Sequence, residues 1–127
     1  MAEIVSFSLD GEDLLRLKGV EKNFRNRSEA LRAGIEHLAL EEQAIESLRG
    51  FCNAVVLVVH SHAAEAEISK VKHDFSGEIK TQVHNSLGEK CVEMFLLEGQ
   101  ADELVDFFRK IKLVRKVSYC KFLPVGI

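Results

Sequence analysis

The sequence predicts an α+β protein built from two parts, and this prediction is based on three patterns along the chain. Side chains in residues 4–9 alternate between two faces, which is typical of a strand, and the apolar stripe of a long helix follows downstream. From Cys52 to His60 the pattern changes to a short run rich in Val and Leu, which indicates a buried strand. Together with the helical and strand patterns that follow it, this strand gives the order β-α-β-β-α-β.

The first part opens with the alternating strand. Its two faces carry Val5, Phe7 and Leu9 on one side and Ile4, Ser6 and Ser8 on the other. A short helix and the segment Asn26–Arg32 follow. Ser28 is predicted to cap the next helix, because its hydroxyl can accept a hydrogen bond from a free amide of the first turn. With Asn26 and Arg27 just upstream, these amides form a predicted binding site for an anion such as a DNA phosphate.

The second helix of this part is long and amphipathic. Its apolar stripe is formed by Leu31, Ile35, Leu38, Ile45 and Leu48. Gly50 is a plausible stop signal, since glycine readily adopts the left-handed conformation beyond a helix end. We therefore predict a first domain over residues 1–49 and a second over residues 50–127.

The second part begins with the strand Cys52–His60. Ser61 is predicted to cap a helix whose inner side carries Ala64, Ile68 and Val71. Residues 79–85 and 90–97 are predicted to pair as strands around a hairpin turn at residues 85–88. After Gly99, a helix buries Leu104, Phe107, Phe108 and Ile111, and a last strand over residues 114–123 ends at Pro124. This order is the split βαβ pattern of ferredoxin-like, or ACT-like, domains, which often sense ligands.

Length, charge and cysteine content narrow the possible classes. The 127 residues carry a formal net charge of −3, which is unusual for a nucleic-acid binder, but basic side chains concentrate in residues 16–32. No apolar run is long enough to span a membrane, and no signal peptide is evident. Three widely spaced cysteines do not suggest a disulfide framework. These observations predict a cytoplasmic protein.

The strand–helix–turn–helix order of the first part resembles the ribbon-helix-helix family of DNA-binding dimers. The resemblance implies that two N-terminal strands pair into a ribbon that enters the major groove. Bases would then face Ile4, Ser6 and Ser8, and phosphates would face Asn26, Arg27 and Ser28. No arginine stands on the strand's reading face, so the strongest specific contact, bidentate to guanine, is missing.

His73, His84 and Cys91 are the candidate metal ligands of the second part. His84 and Cys91 flank the predicted hairpin turn, which can bring them together. Imidazole and thiolate together suit nickel, copper, zinc or cobalt, and do not suit calcium or magnesium. The alternative is that these three residues are structural or surface side chains, as isolated histidines and cysteines usually are.

The whole chain resembles the NikR family of nickel-responsive repressors. The most specific matches are Arg27–Ala30, Gly50-Phe51, His73–Phe75, Cys91–Glu93 and Leu97–Gly99. The resemblance implies a homotetramer, arranged as a dimer of dimers, with a core of sensing domains and a ribbon-helix-helix dimer at each end. It also implies nickel bound in square-planar geometry by three histidines and one cysteine, with one histidine donated by a neighbouring subunit.

The resemblance carries these roles to particular residues. His73 matches the histidine donated across the interface, and Cys91 matches the thiolate ligand. His84 matches the second histidine of the family's His-x-His pair, and Gln82 stands where the first should be. This match requires a hairpin turn one residue longer than usual, offset by one residue lost before it.

An alignment without that longer turn places Val83 and Asn85 at the ligand positions instead. A glutamine such as Gln82 is a poor ligand for soft metals. A site with three protein ligands plus water, or a tetrahedral site completed by another residue, would therefore suit zinc or cobalt better than nickel. His60 and His62 are candidate secondary ligands, and solvated residues at a strand end are the equally plausible alternative.

The leading hypothesis is a metal-responsive transcription regulator that binds a double-stranded DNA operator, with an altered metal site. The first alternative is a ribbon-helix-helix regulator whose ACT-like domain senses a small molecule. The second is an antitoxin-like repressor that binds a protein partner. An enzyme is the least expected class, because no nucleophile–base pair or phosphate-binding glycine loop is present.

Overall fold

The computed structural model describes residues 2–125 and confirms the α+β class. The contacts divide the chain into two compact units, and the division falls after Gln43. The predicted boundary after residue 49 lies a few residues downstream and stays a prediction. In chain order the elements are α1 Gly11–Glu21, α2 Arg27–Glu46, β1 Phe51–Ser61, a 3-10 helix His62–Ala64, α3 Glu65–Asp74, β2 Ile79–Leu87, β3 Lys90–Gln100, α4 Ala101–Lys112 and β4 Val117–Val125.

Residues 2–10 precede α1 and form neither helix nor strand in the single chain. A strand satisfies its backbone groups by pairing with a neighbouring strand, so the predicted ribbon requires a second copy of this segment. The N-terminal strand and the ribbon therefore stay predictions. The helix that follows is capped by Asp10, whose carboxylate accepts a hydrogen bond of 2.7 Å from the amide of Asp13.

The start of α2 corrects the predicted cap. Asn26 is the capping residue, since its Oδ1 accepts a hydrogen bond of 2.8 Å from the Glu29 amide. Ser28 lies inside the first turn and is exposed. Asparagine and serine are both good capping residues. Because α2 begins at Arg27, Asn26 occupies the position directly before the helix, where a cap acts.

The apolar stripe of α2 is divided between the two units. Ile45 is buried in the core of the second unit, whereas Ile35 and Leu38 are 67% and 62% exposed in the first. The helix ends at Glu46, four residues before the predicted stop, and Gly50 takes a φ of 71° in the connection to β1. Within residues 2–125, no helix is long and apolar enough to cross a membrane.

The second unit contains one antiparallel sheet in the order β2-β3-β1-β4, the ferredoxin-like arrangement that the element order predicted. In the two central strands, β1 and β3, every second residue is buried. The helices α3 and α4 supply apolar side chains to the same core, and α4 buries the four residues predicted for it. The largest fully buried apolar side chains are Phe95, Phe107, Ile68, Leu97, Leu104 and Ile111.

Three local predictions for this unit were wrong. The hairpin turn lies at Gly88 and Glu89, because Leu87 still pairs with Lys90 and Gly88 supplies the positive φ that tight hairpin turns need. Pro124 lies within β4, which tolerates proline because it is an edge strand. Ser61 precedes the 3-10 helix, but its hydroxyl is buried and makes no capping hydrogen bond.

Candidate metal centre

The register of the sheet assembles the centre. Cys91 on β3 lies opposite His60 on β1 and opposite Ser86 on β2. One row further along, Glu93 on β3 lies opposite His84 on β2. Directly paired residues share a face of the sheet, and the burial of His60, Cys91 and Glu93 shows that this is the face covered by helices.

Two groups of potential metal ligands meet at Cys91. The first group consists of His60, His84 and Cys91, and in each group the ligand atoms all lie within 4.8 Å of one another. The second group consists of His62, Glu65 and Cys91. The structure thus brings the predicted residues His84, Cys91, His60 and His62 to one place.

A buried charge cluster lies beside these ligands. His60 Nδ1 donates to the carbonyl oxygen of Ser61 at 2.8 Å, and Nε2 is hydrogen-bonded to Glu93 Oε2 at 2.6 Å. The other carboxylate oxygen of Glu93 accepts from Lys72 Nζ at 3.1 Å. His60 and Glu93 are both buried away from solvent, so their polar atoms need these protein partners.

His62 follows β1 and lies against the thiol of Cys91. The Cys91 Sγ–His62 Nδ1 distance is 3.3 Å, which lets the thiol donate to the imidazole. His62 Nε2 donates to the carbonyl oxygen of Gly88 in a long contact of 3.5 Å. This contact puts the hydrogen on Nε2 and leaves the Nδ1 lone pair facing the sulfur.

His84 lies between two carboxylates. Its Nδ1 is 3.8 Å from Glu93 Oε1, and its Nε2 is 3.6 Å from Glu65 Oε1. Its side chain is 31% exposed, whereas that of Glu93 is buried. His84 therefore lies at the solvent edge of the centre, with one ring nitrogen towards the interior and one towards α3.

His73 and Gln82 lie outside both ligand groups of the described residues. His73 is exposed in the last turn of α3. Gln82 is exposed and lies opposite Phe95, one row beyond His84 on the same face of the sheet. The roles assigned to both by resemblance, a donor to the neighbouring subunit and a position facing the metal, stay predictions.

The sequence analysis did not identify Glu93, Lys72 and Glu65 as members of the centre. For Glu93 a signal existed, because it follows Cys91 by two positions on one strand and strand alternation puts both on one face. Lys72 and Glu65 come from α3, and nothing local in the sequence places that helix over this end of the sheet.

The residues predicted to contact DNA lie in the first unit. Ile4 is 99% exposed, and Ser6 and Ser8 are also exposed. Arg27 forms an ion pair with Glu21, with an Nε–Oε2 distance of 2.6 Å. The hydrogen bond between them raises the pKa of the Arg27 guanidinium and lowers the pKa of the Glu21 carboxyl. A phosphate would have to compete with Glu21 for Arg27.

The donor set at Cys91 selects a class of metal. A thiolate with imidazoles and one carboxylate suits a borderline-soft ion such as nickel, zinc or cobalt, and calcium and magnesium prefer sites made of oxygen ligands. The residues present therefore fit a transition-metal ion.

Several known proteins are similar to this chain. A curated relative, the "putative nickel-responsive regulator" of Methanocaldococcus jannaschii, is 28% identical over 113 residues, which cover 84% of this chain and 80% of the relative. Among solved structures, the uncharacterized protein TM1266 from Thermotoga maritima matches with a TM-score of 0.56 at 16% identity, covering 60% of this chain and 99% of that chain.

The ACT domain of the GTP pyrophosphokinase of Chlorobium tepidum matches with a TM-score of 0.52 at 20% identity, covering 57% of this chain and 99% of that domain. These two structures establish an ACT-like fold for the second unit and nothing about its ligand. The model of the NikR C-terminal nickel-binding domain matches residues 53–125, which is more than half of the chain. That region contains Cys91 and all the side chains gathered around it, and the chain therefore belongs to the NikR family.

Proposed function

We propose that this protein is a metal-responsive, DNA-binding transcription regulator. One observation carries the proposal: imidazole and carboxylate donors from β1, β2 and α3 converge on the buried thiol of Cys91. This convergence lies inside the region that matches the nickel-binding domain model. The name of the Methanocaldococcus jannaschii relative supports the same role.

Cys91 and His84 would anchor the metal in this proposal. A thiolate is the softest donor available, and binding replaces the thiol proton with the metal ion. In the family arrangement, His73 of a second copy would complete the nickel site by supplying a further imidazole. Since Gln82 stands where another histidine would bind, zinc and cobalt are alternative metals for this chain.

The proposed mechanism is allosteric. The protein would act in the cytoplasm as a homotetramer, with N-terminal ribbons on a double-stranded operator. Metal at the sensing domains shifts the population towards the DNA-competent arrangement only if that arrangement binds the metal more tightly. The coupling is reciprocal, so DNA must raise metal affinity by the same factor.

The experiment is a selection of binding sites from random double-stranded DNA, with and without nickel or zinc. We expect a defined sequence to be enriched only with metal, and Cys91→Ser to abolish the metal effect. Cys120→Ser is the matched control, because Cys120 is a half-buried thiol outside both ligand groups. Enrichment that does not depend on metal would contradict metal response, and no enrichment under any condition would contradict DNA binding.

A small-molecule sensor is the second candidate, and a groove in the second unit favours it. The groove has a volume of about 550 Å³ and is lined by the end of α2 and the start of α4, with Arg49, Asp102 and Asp106 among its side chains. Charges of both signs suit a zwitterionic ligand. Wild-type protein that binds no nickel, zinc or cobalt would favour this candidate over the first.

A further inference from the structure

We propose that the groove between the end of α2 and the start of α4 binds a small aliphatic zwitterion, namely a free amino acid with an aliphatic side chain. All the residues that line the groove belong to the second unit. The inference does not depend on metal sensing, because the groove lies at the start of β1 and the metal centre lies at its end. The 11 residues of β1 put roughly 30 Å between the two places.

A backbone hydrogen bond fixes the floor of the groove. The amide of Ala101, the first residue of α4, donates to the carbonyl oxygen of Gly50 at 2.7 Å. This bond holds the start of α4 against the connection between α2 and β1. The volume of about 550 Å³ lies within the range of small-molecule sites, so the folded chain already provides enough space for a ligand.

The inner wall of the groove is aliphatic. Ile45 and Ala101 are buried, and Leu48 and Val105 are partly buried against the same core. All four residues line the groove. An aliphatic side chain that lies against this wall loses contact with water, which favours binding.

Arg49 offers a binding edge for a carboxylate. Its Nη1 donates to the carbonyl oxygens of Glu46 and Leu48, the latter at 2.7 Å, and these bonds anchor the guanidinium at the end of α2. Among the hydrogen bonds of residues 2–125, none involves its Nε or Nη2. These two nitrogens form one edge of the guanidinium plane, and such an edge can bind a carboxylate through two parallel hydrogen bonds. A carboxylate can therefore bind Arg49 without breaking its present contacts.

Asp102 and Asp106 offer the matching position for an ammonium group. They lie four residues apart on α4, so they share one side of the helix and repel each other. Asp102 Oδ1 accepts from the Glu103 amide at 3.0 Å, and Asp106 Oδ2 pairs with Lys110 at 3.1 Å. The second oxygen of each carboxylate is left for a ligand. The Asp106–Lys110 pair is about half exposed on both sides, so it is a weak competitor.

The three parts of the groove together define the class of ligand. A ligand with only a negative charge would be repelled by Asp102 and Asp106, and a ligand with only a positive charge would be repelled by Arg49. A molecule that carries both charges beside a short apolar side chain can satisfy Arg49, the two aspartates and the aliphatic wall at once.

Isothermal titration calorimetry of the metal-free, full-length protein tests the site, with L-valine, L-leucine, L-isoleucine and L-methionine as probes. We expect at least one probe to bind, and Arg49→Gln and Asp102→Asn each to weaken that binding by about tenfold or more, because each removes a charged partner. Arg115→Gln and Asp74→Asn are the matched controls, since both residues are exposed and lie outside the groove. Circular dichroism checks that each variant is folded.

A second titration tests whether both charges of the ligand are needed. The amino acid that binds best is compared with its two analogues that each lack one charged group, which for leucine are isocaproate and isoamylamine. We expect each analogue to bind about tenfold more weakly or worse, because one side of the groove then has no partner.

Three results would overturn the inference: no binding of any of the four amino acids, an analogue that binds as tightly as the amino acid, or normal binding in either groove variant. Cys91→Ser should bind the amino acid like wild type, and a loss there would place the ligand at the metal centre and also overturn it. Amino-acid binding by a protein that takes up no nickel, zinc or cobalt would leave the inference standing and contradict the proposed metal response, so the two failures are distinguishable.

Discussion

His60 Nε2 lies 2.6 Å from Glu93 Oε2, and neither side chain reaches solvent. Lys72 binds the second oxygen of the same carboxylate at 3.1 Å. Buried charges are tolerated only when they are paired and hydrogen-bonded, so Glu93 holds β1, β3 and α3 together around one point. Glu93 also lies next to His84 of the candidate metal centre.

Removing the Glu93 carboxylate should destabilise the protein strongly. We expect Glu93→Ala to lower the free energy of unfolding by about 3–5 kcal/mol, because His60 loses its buried partner and Lys72 loses its counter-charge. Urea denaturation at a fixed protein concentration measures the loss. Glu67→Ala, on the exposed side of α3, is the control. Equal effects of the two substitutions would show that the buried cluster contributes nothing to stability.

The cap of α2 can be tested with two neighbouring substitutions. Asn26→Ala should lower the free energy of unfolding of the first unit by about 1 kcal/mol, because the Glu29 amide loses its acceptor. Ser28→Ala should have little effect, since Ser28 is exposed within the first turn. Helix content followed during thermal unfolding measures both. A larger effect at Ser28 would restore the cap that the sequence analysis predicted.

Arg27 should contact phosphate once Glu21 releases it. Arg27→Ala is expected to weaken binding to all DNA sequences alike and to reduce the salt dependence of the affinity by about one phosphate contact. Glu21→Gln should strengthen binding, because it removes the carboxylate that competes for the guanidinium. Affinities measured at several salt concentrations check both. An unchanged salt dependence in Arg27→Ala would exclude the phosphate contact.

Gln82 is predicted to limit metal choice. Restoring an imidazole with Gln82→His should strengthen nickel binding relative to zinc, because it adds a nitrogen donor on the face that carries His84. Titration of wild type and variant with both metals, followed by absorbance, gives the ratio. If the nickel-to-zinc preference does not change, Gln82 does not face the metal, and the alignment that assigns it loses its support.

Cys120 should be an unreactive thiol. Burial raises its pKa to about 11, so at pH 8 only about one molecule in a thousand carries the reactive thiolate. Alkylation by iodoacetamide, followed by peptide mass spectrometry, should be far slower than for a cysteine in a flexible peptide. Because the folded pKa is raised, folding stability contributed by the neutral thiol should decline as the pH rises from the unfolded value towards 11. Rapid alkylation at pH 8 would contradict this environment.

Local patterns in the sequence were sufficient for the element order of the second unit. The Val- and Leu-rich run Cys52–His60 corresponds to β1, and the helical spacing of Leu104, Phe107, Phe108 and Ile111 corresponds to the buried face of α4. Periodicity reports which side of an element meets the core, and this depends only on neighbours along the chain. The order of those elements was then enough to predict the ferredoxin-like sheet.

Local signals that compete were resolved only by the structure. Asn26 and Ser28 are both good caps, and Asn85 to Gly88 contains several turn residues, so the sequence could not rank the alternatives. Pro124 looked like a strand end, but a proline is tolerated in an edge strand, and which strand lies at the edge is a property of the whole sheet.

Residue types and their spacing were enough to predict that His84 and Cys91 flank one hairpin and that imidazole and thiolate donors suit a transition metal. The pairing of His60 with Glu93, and the approach of His62 and Glu65 to Cys91, followed only from the folded chain. These contacts depend on the register of β1 against β3 and on the position of α3 over the sheet. A shift of one residue in that register would turn every side chain to the opposite face, and nothing near any one of these residues in the chain specifies it.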